Sequence, residues 1–252
     1  MENSHTVALP AGWRLFRRGT VGSTNREARL LADAGEPEGA VVWADAQTEG
    51  RGRQDRVWES GGGNLLFSLI VRPECGLAEA GQLSFLTAVA LAEAVAEVAP
   101  AVPVTCKWPN DLLGAHGKIS GILLEGCLPK GALPPAVVVG VGVNIAWQPG
   151  EGTLYPASSL AREGAEVSRE AVLAAFLARF SAWLAHWRAE GFAPLRAAWL
   201  ARARGVGQAI TVRLPGETVK GVFENLDGDG GLVLSGLPEG ERVIHAGDVF
   251  FG

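Results

Sequence analysis

The sequence is poor in the residues that staple small domains or hold structural metal ions. It contains three cysteines, Cys75, Cys106 and Cys127, none of them in a CxxC pair, and four histidines that stand apart from one another. A disulfide framework and a zinc site are therefore not expected. With 252 residues the chain can bury a core without such staples. Reduced thiols indicate a cytoplasmic protein.

The chain also lacks an apolar run that could cross a membrane or serve as a signal peptide. Residues 85–99, FLTAVALAEAVAEVA, carry two glutamates, and residues 1–13 have no basic start followed by a long apolar run. The net charge is −5, whereas proteins that bind nucleic acid or anionic membranes in general are more often basic. We therefore expect a soluble cytoplasmic protein with no nucleic-acid partner and no membrane partner.

Lysine is scarce, and two of the few lysines share one motif. Only Lys107, Lys118, Lys130 and Lys220 occur among the 22 lysines and arginines. Lys107 and Lys118 delimit KWPNDLLGAHGK, where we expect them at the two bases of a hairpin. A lysine is a compact charge that can swing to a carboxylate or a phosphate. A plain hairpin with a WPND turn is the alternative interpretation.

Positive charge is nevertheless concentrated in one stretch, GRGRQDRVW at residues 50–58. Gly50 and Gly52 permit close approach of the backbone, so that N–H groups can face an oxyanion. Arg51 and Arg53 can grip a carboxylate or phosphate with two hydrogen bonds each. The Walker A pattern GxxxxGK[ST] is missing. In an acidic chain this stretch indicates a site for a small anionic ligand, although a basic solvated turn would have the same composition.

Hydrophobic periodicity predicts an α+β fold followed by a segment of strands alone. Thr24 and Glu27 match a capping box at the start of the first helix, and Ser168 is a good N-cap for a later one. After Arg204 the helical pattern stops, and short strands alternate with the turns PGE, DGDGG and PEGE. We therefore divide the chain into a larger domain at 1–204 and a small β domain at 205–252. The predicted helices cover residues 22–35, 77–99, 168–190 and 193–204, and the predicted strands cover residues 13–19, 40–46, 64–73, both sides of a tip at 114–117, and an apolar run that ends at 140–144.

Five motifs in this order resemble those of bacterial biotin–protein ligases. They are GSTNREA at 22–28, GRGRQDRVW at 50–58, NLLFSLIVRP at 64–73, KWPND with a second lysine at 107–118, and GVGVNI at 140–145. Each motif alone is weak, but the order and spacing agree from about residue 20 to residue 145. Because the first motif begins near residue 20, we expect the monofunctional type of ligase, without the DNA-binding module of the bifunctional repressors.

The resemblance implies both a fold and a reaction. The fold is the catalytic fold of class II synthetase-like biotin and lipoate ligases, a mixed or antiparallel sheet packed with helices, followed by a small SH3-like barrel. The reaction is the ATP- and Mg²⁺-dependent conversion of biotin to biotinyl-5'-AMP, followed by transfer of biotin to a lysine of a biotin carboxyl carrier protein. Holding two anions about 3 Å apart requires local rather than global positive charge. Relatives pair their sheets across a homodimer, which is a further expectation here.

The resemblance also assigns residues to the two substrates. Lys118, Arg53 and Arg51 are the expected catalytic residues, and Asp111 is the expected Mg²⁺ ligand. The expected biotin site comprises Ser23, Thr24, Asn25, Gln47, Gly50, Arg51, Gly52, Arg53, Lys118, Gly121 and Gly140. The expected ATP and adenylate site comprises Arg53, Arg56, Trp58, Lys107, Asn110, Asp111, Lys118 and Asn144.

One departure from the family pattern bears on function. The family usually has Arg-Gly where this chain has Gln54-Asp55, so one positive charge is lost and one negative charge is gained. We therefore expect the loop to grip the adenylate less tightly.

Three different functions compete with that of a biotin–protein ligase. A lipoate or octanoate ligase is the first, because SGGG at 60–63 resembles the glycine run of that family, but its paired arginines and downstream histidine are missing. The second is a protein that binds biotin or the adenylate without turnover, which only the Gln54-Asp55 change favours. The third is a biotin-responsive repressor, against which the acidic charge and the early first motif both argue.

Overall fold

The chain alternates strands and helices up to residue 200 and continues with strands alone. The computed structural model describes residues 7–74, 76–127, 135–150, 152–238 and 240–251. The first part comprises β1 (Arg14–Val21), α1 (Thr24–Asp33), β2 (Ala40–Gln47), β3 (Leu65–Val71), α2 (Leu77–Ala80), α3 (Leu83–Val98), β4 (Thr105–Lys107), β5 (Asp111–Leu113), β6 (Lys118–Cys127), β7 (Ala136–Val143), α4 (Arg169–Glu190) and α5 (Phe192–Leu200). The second part comprises β8 (Ala209–Leu214), β9 (Glu217–Leu226), β10 (Leu232–Leu237), β11 (Gly240–Ile244) and β12 (Asp248–Phe251).

The first seven strands form one mixed sheet in the order β1-β2-β3-β7-β6-β5-β4. β1 and β2 are parallel, and the other neighbours are antiparallel. The helices lie on both faces, because α1 packs against β2, β3 and β7 while α3, α4 and α5 cover the opposite face. The expected mixed sheet packed with helices is confirmed.

The two faces of β7 differ in side-chain size, and this difference makes room for a site. Val137, Val139, Val141 and Val143 belong to the main core under α3, α4 and α5, since successive side chains of a strand point to opposite faces. On the α1 face the same strand has Val138 and then only glycines, Gly140 and Gly142. α1 covers the valine end, and the glycine end is the floor of an open pocket.

The last five strands form an antiparallel sheet in the order β11-β10-β9-β8-β12. The register shifts within the β9–β10 and β10–β11 pairs, as expected of a strongly bent sheet. In the described residues no pairing between β11 and β12 closes this sheet into a barrel. The predicted boundary at 204/205 falls in the connection between α5 and β8.

The two sheets share one core instead of meeting at a wet interface. Trp199 of α5 is fully buried, and its ring lies 5.4 Å from that of Phe85 of α3 and 6.5 Å from that of Phe223 of β9. The indole nitrogen of Trp108 donates to the carbonyl of Gly230 at 3.0 Å, and the peptide bond between Trp108 and Pro109 is cis. These contacts fix the C-terminal sheet against the large seven-stranded one.

Three details of the predicted elements are wrong. The N-cap of α1 is Ser23, not Thr24, and its side chain makes no capping hydrogen bond. The predicted helix at 77–99 is broken between α2 and α3, at a glycine that weakens a helix interior by about 1 kcal/mol. Lys107 and Lys118 do not flank one hairpin, because the WPN turn joins β4 to β5 and the tip at 114–117 joins β5 to β6. The Ser168 cap is confirmed, since its side chain accepts from Ala171 N at 3.1 Å.

The described thiols are buried and unbonded. Cys106 and Cys127 are free, and burial raises the pKa of Cys106 to about 12. Cys75 lies outside the described residues. Within the described ranges, no helix combines the length and the apolar character needed to span a membrane.

The shared core predicts that both sheets unfold together. Trp199→Ala would leave a large cavity between them and should lower the free energy of unfolding by about 3–5 kcal/mol. Urea denaturation followed by far-UV circular dichroism, and by amide exchange at β9, should show one transition displaced at both probes. Leu30→Ala, at a side chain that is 58% exposed, is the control and should change stability by less than about 0.5 kcal/mol. A C-terminal sheet that unfolds at an unchanged urea concentration would contradict the prediction.

Candidate active site

A cavity of about 320 Å³ opens on the α1 face of the large sheet, above the glycine end of β7. Its wall includes the start of α1, the segment 51–59, the β4–β5 turn, the start of β6, Pro149, the segment 152–157 and Asp248 of β12. It collects nearly every residue that the resemblance assigns to a substrate. Those found in its wall are Ser23, Thr24, Asn25, Gln47, Arg51, Gly52, Arg53, Arg56, Trp58, Lys107, Asn110, Asp111, Lys118, Gly121, Gly140 and Asn144.

The segment 50–58, called the ligand loop below, folds back on itself at the mouth of the cavity. Trp58 N donates to the carbonyl of Gly50 at 2.9 Å, and Gly52 N donates to the carbonyl of Arg56 at 2.6 Å. Gly50 has to be a glycine, because a Cβ there would lie 2.4 Å from the Trp58 carbonyl oxygen. The tip contains Gln54 and Asp55 at φ 55° and 57°, in the left-handed region that disfavours side chains.

The three arginines of the ligand loop reach three different parts of the molecule. Arg51 Nη2 lies 3.0 Å from the Glu125 carboxylate of β6. Arg53 Nη1 donates to Asn110 Oδ1 at 3.1 Å, in the β4–β5 turn. Arg56 forms a two-point ion pair with Asp248 of β12, with Nη1 donating to Oδ1 at 2.9 Å. These contacts hold the ligand loop closed across the cavity.

Trp58 at the end of the ligand loop rests on the glycine floor. A Cβ on Gly142 would lie 2.4 Å from the indole ring, and one on Gly121 would lie 2.9 Å from it. The Lys118 ammonium group is 5.5 Å from the indole centroid. Gly121 and Gly142 are therefore required by the closed position of Trp58, and Gly142 joins the site residues expected from the sequence.

A buried carboxylate binds two lysines at the centre of the cavity. Asp111 Oδ2 is 3.1 Å from Lys107 Nζ, and Asp111 Oδ1 is 2.6 Å from Lys118 Nζ. Burial would raise the pKa of Asp111, but the two ammonium groups outweigh it and hold that pKa below its usual value. Burial lowers the pKa of Lys107, and Asp111 opposes this shift. The three groups together carry one net positive charge inside an acidic protein.

This arrangement does not favour Asp111 as a ligand of Mg²⁺. Each of its oxygens faces an ammonium group, so a cation beside it would be repelled. Among the described residues, no three His, Cys, Asp or Glu side chains come together as a metal site. We therefore assign Asp111 to holding the two lysines, and its Mg²⁺ role stays a prediction.

The end of the cavity beside the start of α1 is lined by neutral polar groups that are joined by hydrogen bonds. Gln47 Oε1 accepts from Thr24 N at 2.7 Å and lies 3.1 Å from Thr24 Oγ1. Ser68 Oγ lies 2.8 Å from Thr24 Oγ1 and 2.6 Å from Asn25 Oδ1. Asn25 Nδ2 donates to Glu125 at 2.6 Å, which connects this network to the carboxylate that binds Arg51.

Several assigned residues also make contacts within the protein. Gly52 already donates its N–H group within the ligand loop. A Cβ on Gly140 would lie 2.1 Å from Asn25 Oδ1, so the space that this glycine leaves holds Asn25. Asn144 uses its amide to donate to the Ser158 carbonyl at 3.0 Å, which ties down the segment after β7. Gly50 supports the ligand loop and does not line the cavity.

Three further residues take part in the site without having been expected from the sequence. Ser68 is the single polar side chain in the buried strand β3, and this isolation in LLFSLIV was a usable signal. Glu125 is the single carboxylate of β6, KISGILLEGC, which was a weaker signal of the same kind. Asp248 lies in β12, almost two hundred residues from Arg56, and nothing in the local pattern indicates this pairing.

Comparisons with known proteins identify the family of the chain. The model of the biotin/lipoate A/B protein ligase family matches residues 28–201, and that of the biotin protein ligase C-terminal domain matches residues 205–252. The chain is 42% identical over 236 residues to a biotin–[acetyl-CoA-carboxylase] ligase of Paracoccus denitrificans, covering 91% of this chain and 97% of the relative. It is 34% identical to the bifunctional ligase/repressor BirA of Bacillus subtilis, covering 96% of this chain and 75% of the relative.

A solved structure with the same architecture has its substrates bound. The biotin protein ligase from Aquifex aeolicus in complex with biotin and ATP superposes with a TM-score of 0.80 at 28% identity, covering 94% of this chain and 97% of that one.

The ion pair between Arg51 and Glu125 predicts how firmly the ligand loop is held. Glu125→Gln keeps an acceptor for Asn25 but removes the charge, which should weaken closure by about 1 kcal/mol, or about fivefold, because the pair is half exposed. Amide exchange at residues 50–58, measured by mass spectrometry, should accelerate by that factor.

The matched control is Glu49→Gln, which removes a carboxylate that lies 3.7 Å from Arg26 in a pair whose side chains are about two-thirds exposed. It should leave the exchange of the ligand loop unchanged. Equal exchange in the wild type and in Glu125→Gln would show that Glu125 does not tether the ligand loop.

Proposed function

This chain belongs to the biotin/lipoate A/B protein ligase family, and on that basis we propose that it is a biotin–protein ligase. It activates biotin with ATP to biotinyl-5'-AMP and then transfers the biotinyl group to a lysine of a biotin carboxyl carrier protein. The site residues and their roles below are part of this proposal.

The contrast between the two ends of the cavity carries the proposal. One end presents hydrogen-bonding amide and hydroxyl groups on Gln47, Thr24 and Asn25, which suit a neutral ureido ring and are joined from behind by the buried Ser68. The other end presents arginine and lysine side chains, which suit a carboxylate and a phosphate. Biotin is a molecule with these two ends. A dithiolane ring or an alkyl chain has nothing to offer the first group of residues.

In the first half-reaction a biotin carboxylate oxygen attacks the α-phosphorus of ATP, and pyrophosphate leaves. Two anions must approach, so their mutual repulsion has to be offset where they meet. Lys118 and Arg53 neutralise the carboxylate and the α-phosphate, while Arg56 faces the departing pyrophosphate. Asp111 keeps Lys107 and Lys118 side by side for this purpose. Mg²⁺ bound to the phosphates of ATP would supply further positive charge at this point.

In the second half-reaction the amine of the carrier lysine attacks the carbonyl carbon of the mixed anhydride, and AMP leaves. The anhydride is reactive toward water, so it has to be covered until the carrier arrives. Trp58 and the closed ligand loop supply this cover over the floor of the cavity. The backbone N–H group of Arg51, which lines the cavity, is the proposed donor to the biotin carboxyl group.

The cytoplasmic location and the homodimer remain part of the proposal. The buried free thiols Cys106 and Cys127 suit a reducing compartment. A dimer that extends the sheet would need an open edge strand. β4 is covered, because Cys106 exchanges 2.8 Å backbone hydrogen bonds with Arg202 and Arg204. This leaves β1, whose exposed arginines oppose unspecific pairing.

One prediction of the proposed function concerns the reaction and its acid substrate. ATP–pyrophosphate exchange should occur with biotin, and should not occur with lipoate, octanoate or no acid. Lys118→Ala should reduce the exchange rate about 100-fold or more, since it removes the cation at the reacting atoms. Lys220→Ala, at an exposed lysine of the C-terminal sheet, is the control and should exchange like the wild type.

Each different outcome has a distinct meaning. Exchange with lipoate or octanoate would make this chain a relative with a changed pocket. Tight binding of biotin by calorimetry without exchange would make it a binding protein. A thermal melt of Lys118→Ala shows whether its loss of activity comes from unfolding, because the variant leaves Asp111 with one lysine.

Another prediction concerns Gln54 and Asp55 at the tip of the ligand loop. Asp55→Gly removes a side chain from a left-handed position and should favour the closed ligand loop by about 1 kcal/mol, slowing dissociation of biotinyl-5'-AMP about fivefold. Asp55→Asn removes the charge but keeps the side chain, so it separates the electrostatic effect from the conformational one. Stopped-flow dissociation is the measurement, and an unchanged rate for Asp55→Gly would count against the hypothesis.

A further inference from the structure

The hydroxyl group of Tyr155 is a buried polar group with no hydrogen-bond partner among the described residues. Tyr155 is the single tyrosine of the chain and lines the cavity. A buried hydroxyl without a partner is unfavourable, and phenylalanine would provide the same ring without this penalty. The hydroxyl group therefore calls for a partner that arrives with the substrates.

The ring of Tyr155 is held firmly enough to aim that hydroxyl group. It lies between the Lys107 ammonium group, 3.8 Å from its centroid, and the ring of Phe250, stacked at 4.9 Å with an interplanar angle of 20°. The backbone that follows is pinned to β6, because Lys118 N donates to the Pro156 carbonyl at 2.8 Å and Ser158 N donates to the Lys118 carbonyl at 2.9 Å. Tyr155 is thus held between Lys107 and Phe250 of the C-terminal sheet.

The charges around Tyr155 indicate the chemistry of the missing partner. Cations surround it, with Lys107 on its face, Arg213 4.7 Å from the centroid of Phe250, and Arg56 in the same cavity wall. Burial raises the pKa of Tyr155, and the carboxylates of Asp111 and Asp248 raise it further. The hydroxyl group stays protonated and is suited to donate to an anion that these cations attract.

We propose that the Tyr155 hydroxyl group donates a hydrogen bond to the β- or γ-phosphate of ATP, and that it is thereby a binding residue of the first half-reaction alone. The assignment rests on the proposed function, since it takes the ATP site as given. It follows the position of Tyr155 beside Arg56 and β12, on the side of the cavity where pyrophosphate leaves. It also gives the C-terminal sheet a part in nucleotide binding, through Phe250.

The test compares Tyr155→Phe with the wild type, because this change deletes the hydroxyl group and keeps the ring contacts with Lys107 and Phe250. In ATP–pyrophosphate exchange the KM for ATP should rise about 10- to 100-fold, as expected for a hydrogen bond to a charged group. The Kd of biotin, and transfer from preformed biotinyl-5'-AMP to the carrier protein, should change less than about twofold, because neither involves the β- and γ-phosphates.

A spectroscopic measurement checks the contact without turnover. The single tyrosine, labelled with ¹³C at Cζ, gives one resonance from this chain. That resonance should shift when ATP or pyrophosphate is added, and should stay in place when AMP is added. This NMR titration remains a valid test even if biotin is not the substrate. It therefore separates failure of the inference from failure of the proposed function.

Three results would overturn the inference. An unchanged KM for ATP would show that the hydroxyl group does not contact the nucleotide. An equal loss of affinity for biotinyl-5'-AMP would place the contact on the ribose or the adenine. A thermal midpoint several degrees lower in Tyr155→Phe would show that the hydroxyl group is already paired within the protein.

Discussion

The buried carboxylate of Asp111 is the interaction on which the rest of the site depends. Two ammonium groups could not stay charged and adjacent inside the protein without it, because burial and mutual repulsion both disfavour that state. Lys107 in turn supports Tyr155, which stacks on Phe250 of the C-terminal sheet. Lys118 lies beside Trp58 of the ligand loop. One carboxylate therefore joins the floor, the cover and one wall of the cavity.

The ligand loop resolves the conflict between an acidic protein and anionic substrates. Its three arginines bring positive charge to the mouth of the cavity, where it is needed, while the chain as a whole stays at −5. Their contacts with Glu125, Asn110 and Asp248 are partly exposed, so solvent weakens each of them. Weak contacts that form together can close the ligand loop and still release it. An enzyme that admits two substrates and then a protein acceptor needs this property.

The local sequence pattern predicted helices and strands well where short-range periodicity or a single side chain determines them. The strands of the large sheet and the Ser168 cap depend on short-range periodicity and on one side chain. The capping box at Thr24 was wrong because the Thr24 hydroxyl group bonds to Gln47 and Ser68, which are distant in sequence. The prediction of one helix at 77–99 was wrong because the apolar periodicity continues across Gly81, where the helix breaks. In both cases the local rule was valid and a competing contact or break prevailed.

The sequence by itself determined the family through its resemblance, the mixed sheet, and many of the residues that line the cavity. It could do so because five motifs rich in glycine, lysine and arginine keep the order and spacing of a known family, and such motifs can be read along the chain. Only the tertiary structure decided which residues meet. Three contacts join residues that lie about a hundred or more positions apart in the sequence. They are the ion pair of Arg56 with Asp248, the hydrogen bond from Asn25 to Glu125, and the stacking of Tyr155 on Phe250. Such pairs leave no periodic trace, because their distance is set by how the layers pack and not by the rise of a strand or a helix.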